Sequence, residues 1–124
     1  MAASNAASSA GKASADPARR GLRAAASVYI VAQLRFIDRA AYDRYQARFM
    51  DVFRRFEGRL LAADEAPSVL EGAWKHDKLV LMSFPTEAQW RRFALSPEYQ
   101  EILKDRKEGA DAVVLLVKGI STPS

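Results

Sequence analysis

The chain has 124 residues, 49% of them hydrophobic and 27% charged, with no cysteine; this fits one globular domain and excludes disulfides, thiolate metal sites and cysteine nucleophiles. No apolar run approaches the ~20 residues that a membrane span needs. The net charge of +4 points to nucleic acid until it is located: residues 1–26 hold Lys12, Arg19, Arg20 and Arg23 against Asp16, so +3 of it lies there and the rest of the chain lacks a basic footprint.

Residues 1–26 are rich in Ala and Ser, with Gly11, Pro17 and Gly21 as breakers. Such a segment buries too little surface to offset its ordering entropy, and it reads as a disordered basic tail. Two sharper readings compete. The Arg-rich, acid-poor composition resembles an organellar transit peptide, and Arg19-Arg20-Gly21-Leu22-Arg23 resembles a twin-arginine export signal. The export reading would consume the first strand of the domain. The lack of cysteine fits a reducing compartment, so the cytoplasm is expected where no signal acts.

Residues 27–120 form the expected domain, with a short tail at 121–124. Val28 to Phe36 predicts a strand: Val28, Ile30, Ala32, Leu34 and Phe36 make one apolar face, and Tyr29, Val31, Gln33 and Arg35 a mixed one. Asp38 is placed to cap a helix over 39–57. Its Tyr42, Tyr45, Phe49, Val52, Phe53 and Phe56 share one aromatic face. The opposite face carries Arg39, Arg44, Arg48, Arg54 and Arg55 with Asp43 and Asp51, the pattern of a solvated surface. Gly58 is the expected stop.

A second strand begins at Arg59 to Ala63, bends at Asp64-Glu65-Ala66-Pro67 and resumes at Val69-Leu70-Glu71. The polar turn Lys75-His76-Asp77 leads into a third strand over 78–84, an almost unbroken apolar run. Pro85 ends it, because proline donates nothing to a ladder. Thr86 with Gln89 fits a capping box at the start of a helix over 87–95. Ser96-Pro97 repeats the start signal for a helix over 97–108. The last strand, 112–117, is apolar on both faces.

The order strand, helix, strand, strand, helix pair, strand is that of an α+β ferredoxin-like subunit, a split βαββαβ with helices on one face of a four-stranded antiparallel sheet. The other face of a lone sheet should alternate polar residues. Here the third and fourth strands are apolar on both sides, so something must cover the second face. A second copy is the simplest cover, giving a homodimer whose two sheets pack face to face.

Several segments carry a family resemblance: Tyr29-Ile30-Val31-Ala32-Gln33, Tyr42-Asp43-Arg44-Tyr45, Gly58, Leu70-Glu71-Gly72, and above all Phe84-Pro85-Thr86 and Ser96-Pro97-Glu98-Tyr99-Gln100. Together they resemble domain-of-unknown-function family 1330, within the dimeric α+β barrel superfamily. The resemblance implies the same subunit and the same face-to-face dimer. The wider superfamily holds cofactor-independent monooxygenases, isomerases, haem enzymes and binding proteins, so fold alone selects no activity.

The candidate acid/base groups are Glu71, a lone carboxylate between Leu70 and Gly72, and His76, the one histidine. Bland roles compete: a solvated turn histidine, and a carboxylate paired with an arginine such as Arg35. Asp77 is a poor orienter for His76, since neighbouring residues point apart. Tyr42, Tyr45, Trp74, Ser83, Tyr99 and Arg106 are the candidate pocket-lining residues; aromatic tips need polar partners when buried. Arg106, on the third helix, is a candidate either to pair with Glu71 or to anchor an anion, and the sequence does not place it. One histidine without cysteine offers no metal-ligand set, and dispersed glycines offer no phosphate loop, so neither metal nor cofactor is expected. The function expected is a cofactor-independent enzyme acting on a small, largely apolar organic molecule. The alternative is a non-catalytic small-ligand-binding or dimeric interaction module. Neither reading involves nucleic acid or a membrane.

Overall fold

The computed structural model describes residues 27–120; the tail or signal expected at 1–26 and the tail at 121–124 lie outside the described residues. The elements run β1 (Val28–Phe36), α1 (Arg39–Phe53), β2 (Arg59–Asp64), β3 (Lys78–Phe84), α2 (Glu87–Ala94), α3 (Pro97–Gly109) and β4 (Ala110–Lys118). The strands form one antiparallel four-stranded sheet in the order β2-β3-β1-β4. This is the expected ferredoxin-like βαββαβ arrangement.

Strand parity decides which side chains meet the helices. Ile30 lies opposite Met82 and Leu116, and Leu34 opposite Lys78 and Ala112. Val28, Ile30, Leu34, Met82 and Phe84 are buried together with Tyr42, Tyr45, Phe49, Phe53, Phe93 and Ile102 from the helices. Phe53 meets Phe84 and Phe93 edge-on at 5.8 and 5.3 Å between ring centroids. Each such ring contributes roughly 1.5–3 kcal/mol by leaving water.

The helix starts follow the sequence signals. Asp38 accepts from the Ala41 amide, Thr86 from Gln89 and Ser96 from Tyr99. The first helix stops at Phe53, four residues short of Glu57. There the amides of Arg55 and Phe56 bond back to Val52 and Phe53 at 3.1 and 3.0 Å, a tightened last turn before Gly58. Arg55 pairs with Glu98 at 3.9 Å, leaving Asp51 to Arg54 at 3.8 Å.

Two expectations for the second strand are corrected. The irregularity falls between Leu60 and Ala62 rather than at 64–67. The strand does not resume at Val69-Leu70-Glu71, which finds no partner strand among the described residues; Leu70 is 94% exposed. Gly72 turns this connection at φ 90°, a conformation that side chains with a Cβ resist.

Gly109 fixes how α3 returns to the sheet. Its carbonyl accepts from the Ile37 amide at 2.9 Å and the Asp38 amide at 3.1 Å. A Cβ at this position would run into the Tyr42 backbone. The last strand is therefore longer than expected, beginning at Ala110 directly after the helix.

The odd-numbered face of the sheet carries Tyr29, Val31, Leu79, Leu81, Val113, Leu115 and Val117. Val113, Leu115 and Val117 are each 46% exposed. That face is largely apolar, with Gln33, Arg35, Ser83 and Asp111 among its polar members, and no helix among the described residues lies above it.

Candidate functional site

A cleft of about 640 Å³ lies between the helix-facing side of the sheet and α1, α2 and α3. Its floor is low because Ala32 sits in the middle of β1, with Val80 on one side and Val114 on the other. Short side chains there leave room beneath the helices. The walls are mostly apolar: Ile30, Leu34 and Met82 from the sheet, Phe49 and Met50 from α1, Trp90 and Phe93 from α2, and Leu103 from α3. The volume is within the usual range for small-molecule pockets, roughly 300–1,000 Å³.

Few polar groups reach this cleft, and they converge. Lys78 begins β3 with its side chain on the helix-facing side, because 78, 80, 82 and 84 share a face. It is only 6% exposed. Its Nζ donates to Gln46 Oε1 at 2.6 Å and lies 5.0 Å from the centre of the Tyr42 ring. Burial makes the ammonium harder to keep charged, so the Lys78 pKa falls below the usual lysine value; Glu65, 3.9 Å away, opposes that shift. Glu65 belongs chiefly to Arg39, whose two terminal nitrogens donate to its carboxylate at 2.9 and 2.8 Å. That fork holds the Glu65 carboxyl below its ordinary value.

Tyr45 and Tyr99 share a 3.0 Å hydrogen bond between their hydroxyls, joining α1 to α3. Desolvation pushes the Tyr45 phenol well above its ordinary value, and Tyr99 beside it adds to the effect. Tyr42 is pushed up to about 12 by desolvation, with Glu65 adding to it and the Arg39 and Arg106 charges opposing. Arg106, half-buried in the last turn of α3, lines the same cleft. It has no ion pair among the described residues, whereas its neighbours Asp105 and Glu108 both face Arg44.

Four of the residues singled out from the sequence, Tyr42, Tyr45, Tyr99 and Arg106, therefore line this cleft. Trp74 and Ser83 do not. Ser83 pairs with Tyr29 on the odd-numbered side of the sheet. Trp74 donates its indole N–H to Gln33 Oε1 at 2.8 Å, which holds it on that same side. Glu71 is exposed in the connection between β2 and β3 and makes no ion pair with Arg35 or Arg106 among the described residues. His76 lies beside Trp74 at 5.8 Å between rings, and its Nδ1 is buried with no hydrogen-bond partner. Asp77 is turned elsewhere: its carboxylate accepts from the Phe36 amide at 2.8 Å. Lys78, Gln46, Glu65 and Gln100 are polar residues of the lining that carry no site signal in the sequence. Among the described residues, no group of three or more His, Asp or Glu side chains is placed to hold a metal ion.

Sheet, helices and cleft together define a ferredoxin-like α+β domain that holds its pocket on the helix side. The chain belongs to the family described as domain of unknown function DUF1330, whose model matches residues 27–120. No curated protein matches the chain significantly. Among solved structures it is similar to RPA0582, a protein of unknown function from Rhodopseudomonas palustris, at 19% identity over 78% of this chain and 85% of that one, with a TM-score of 0.66. It is also similar to SnoaB, a cofactor-independent oxygenase from Streptomyces nogalater, at 17% identity over 79% and 97%, TM-score 0.56. A dimeric ferredoxin-like protein of unknown function from Thermobifida fusca shares 13% identity over 76% and 92%, TM-score 0.56. At these identities the likeness establishes the fold. No helix among the described residues is long and apolar enough to cross a membrane.

Proposed function

We propose that this protein is a cofactor-independent enzyme acting on a small, largely apolar organic molecule bound in the helix-side cleft. The observation that carries the reading is a cleft of about 640 Å³ with apolar walls into which one buried lysine and a tyrosine pair open. Lys78, its ammonium destabilised by burial, gives up a proton more readily than a solvated lysine. The Tyr45–Tyr99 bond uses one of the two hydroxyl protons, which leaves the other free to orient a ligand oxygen. The likeness in fold to a cofactor-independent oxygenase is consistent with this reading.

Glu71 and His76 lie away from the cleft. They serve the chemistry only if the ligand sits at the odd-numbered face of the sheet. That face supports a second proposal: the chain forms a homodimer through it, as its exposed apolar residues and the dimeric ferredoxin-like relative suggest.

The test is native mass spectrometry of the purified protein, followed by assays on whatever molecule is released. Turnover that falls in Lys78→Met and Tyr45→Phe and persists in Glu71→Gln and His76→Ala supports chemistry in the cleft. The reverse pattern overturns it. A second reading, non-catalytic binding, is favoured by one observation: Lys78 is already tied to Gln46, and Tyr45 to Tyr99. A ligand that binds without being converted would bear that out.

A further inference from the structure

The charged groups of the cleft are gathered towards one end of it. Lys78 is the first residue of β3, opposite Leu34 near the end of β1. Tyr42 stands in the first turn of α1, and Arg106 in the last turn of α3. Tyr42 and Arg106 flank the end of the domain where Gly109 closes onto Asp38, and Lys78 reaches the Tyr42 ring at 5.0 Å. The Arg106 charge acts on both the Tyr42 and Tyr45 phenols, so it lies within electrostatic reach of each. Towards the other end the lining includes Met50, Leu60 and Leu95, apolar and exposed, and the neutral Gln100, whose side-chain amide donates to the Ala94 carbonyl at 2.7 Å.

The charges at the polar end do not cancel. Glu65 is the carboxylate there, and the Arg39 fork holds it at 2.9 and 2.8 Å. Arg39 also pairs with Asp43 at 2.9 Å, and Glu65 lies 3.9 Å from Lys78, so Arg106 is the cation of the cleft that has no ion pair among the described residues. A half-buried guanidinium with no carboxylate partner carries a desolvation cost that a bound anion offsets. Its planar fork of donors matches a carboxylate in two parallel hydrogen bonds. Lys78 adds a second charge to the same cleft, partly offset by Glu65 at 3.9 Å. A cationic ligand would meet two like charges at this end, and a neutral one would leave Arg106 unpaired.

We infer that the cleft takes an amphipathic organic acid, with its carboxylate held between Arg106 and Lys78 and its hydrocarbon or aromatic body lying towards Met50, Leu60 and Leu95. The inference rests on the cleft being the binding site and adds the chemical class of what enters it.

Calorimetric titration of the full chain at neutral pH with 4-phenylbutanoate, 4-phenylbutan-1-ol and 4-phenylbutylamine tests this. These probes share a body and differ in the head. The acid is expected to bind about tenfold or more tightly than the alcohol, the difference that one charge-assisted pair supplies. The amine is expected to bind more weakly than either. Arg106→Gln should erase most of the acid's advantage, and Arg106→Lys should restore part of it. Amide shifts on adding the acid should fall on residues 42–46 and 103–106 rather than on Gln33 and Trp74. Equal affinity for acid and alcohol, with shifts in the cleft, overturns the anion inference while leaving the cleft reading standing. Shifts confined to the odd-numbered face, or no binding of any probe, overturn both.

Discussion

Lys78 Nζ donates a 2.6 Å hydrogen bond to Gln46 Oε1, tying the first residue of β3 to the second turn of α1. The hydrogen bond of this buried ammonium goes to a neutral amide, while the nearest carboxylate, Glu65, stands off at 3.9 Å and belongs chiefly to Arg39.

The first prediction concerns its cost. Burial lowers the proton affinity of Lys78 in the folded state, so the unfolded chain holds that proton more tightly. Stability is therefore reduced while the buried group must stay protonated, and it recovers as pH rises toward the ordinary lysine value, about 10.5. Lys78→Met should be more stable than the natural chain by on the order of 1 kcal/mol at pH 7. The gain should shrink towards pH 10. Urea unfolding at both pH values measures it; a variant less stable at pH 7 would contradict it.

Tyr42 makes the opposite contribution. Its folded pKa is raised to about 12, so the folded state holds the phenol proton more tightly than the unfolded one. That stability is fully present below the ordinary tyrosine value of about 10 and is lost as pH rises from there through about 12. Tyr42→Phe should show a flatter decline in melting temperature across this window. An identical decline in both proteins would count against the assignment.

The Tyr45–Tyr99 bond can be weighed by a double-mutant cycle. Tyr45→Phe or Tyr99→Phe alone leaves one buried hydroxyl without its partner and should cost roughly 1–2 kcal/mol. The double variant should cost less than the sum, with a coupling of about 1 kcal/mol. Strict additivity in denaturant unfolding would show that the 3.0 Å contact contributes nothing.

Gly109→Ala should destabilise the domain by about 2 kcal/mol, since backbone rather than a flexible side chain stands in the way of the new methyl. Thermal unfolding reads it, and a loss well under 1 kcal/mol would mean that α1 shifts freely to make room.

Sedimentation at micromolar concentration should give a homodimer for the natural chain. Leu115→Glu, which places a charge in the middle of the apolar outer face, should give a monomer. A natural chain that sediments as a monomer would remove the face-to-face assembly.

The fold was legible because its signals are local. Pro85 stops a strand, Thr86 and Ser96 cap helices, and alternation along Val28 to Phe36 separates two faces. The site was legible in part. Tyr42, Tyr45 and Tyr99 stood out as aromatics on helix faces, and strand parity carries Lys78 to the same side as Val80, Met82 and Phe84. Lys78 reads as the first residue of the third strand, and a lysine at a strand end carries no sign in the sequence of being buried. Trp74 and Ser83 were grouped with the pocket because composition does not say which side of the sheet a residue faces. The Val69-Leu70-Glu71 strand failed for a different reason. Its apolar residues satisfy the pattern of a strand, but pairing needs a neighbour, and none is supplied within the described residues.

The Gly109 carbonyl, accepting two amides at once, clamps together the ends of α3 and β1 and the start of α1. Met50, Leu60 and Leu95, at the far end of the cleft, take no part in that closure. Variation at those positions can reshape the tail end of the cavity without loosening the charged end. If the proposed acid binds there, what the cleft grips and how long a ligand it accommodates are set by separate parts of the fold, a backbone closure at one end and three side chains outside that closure.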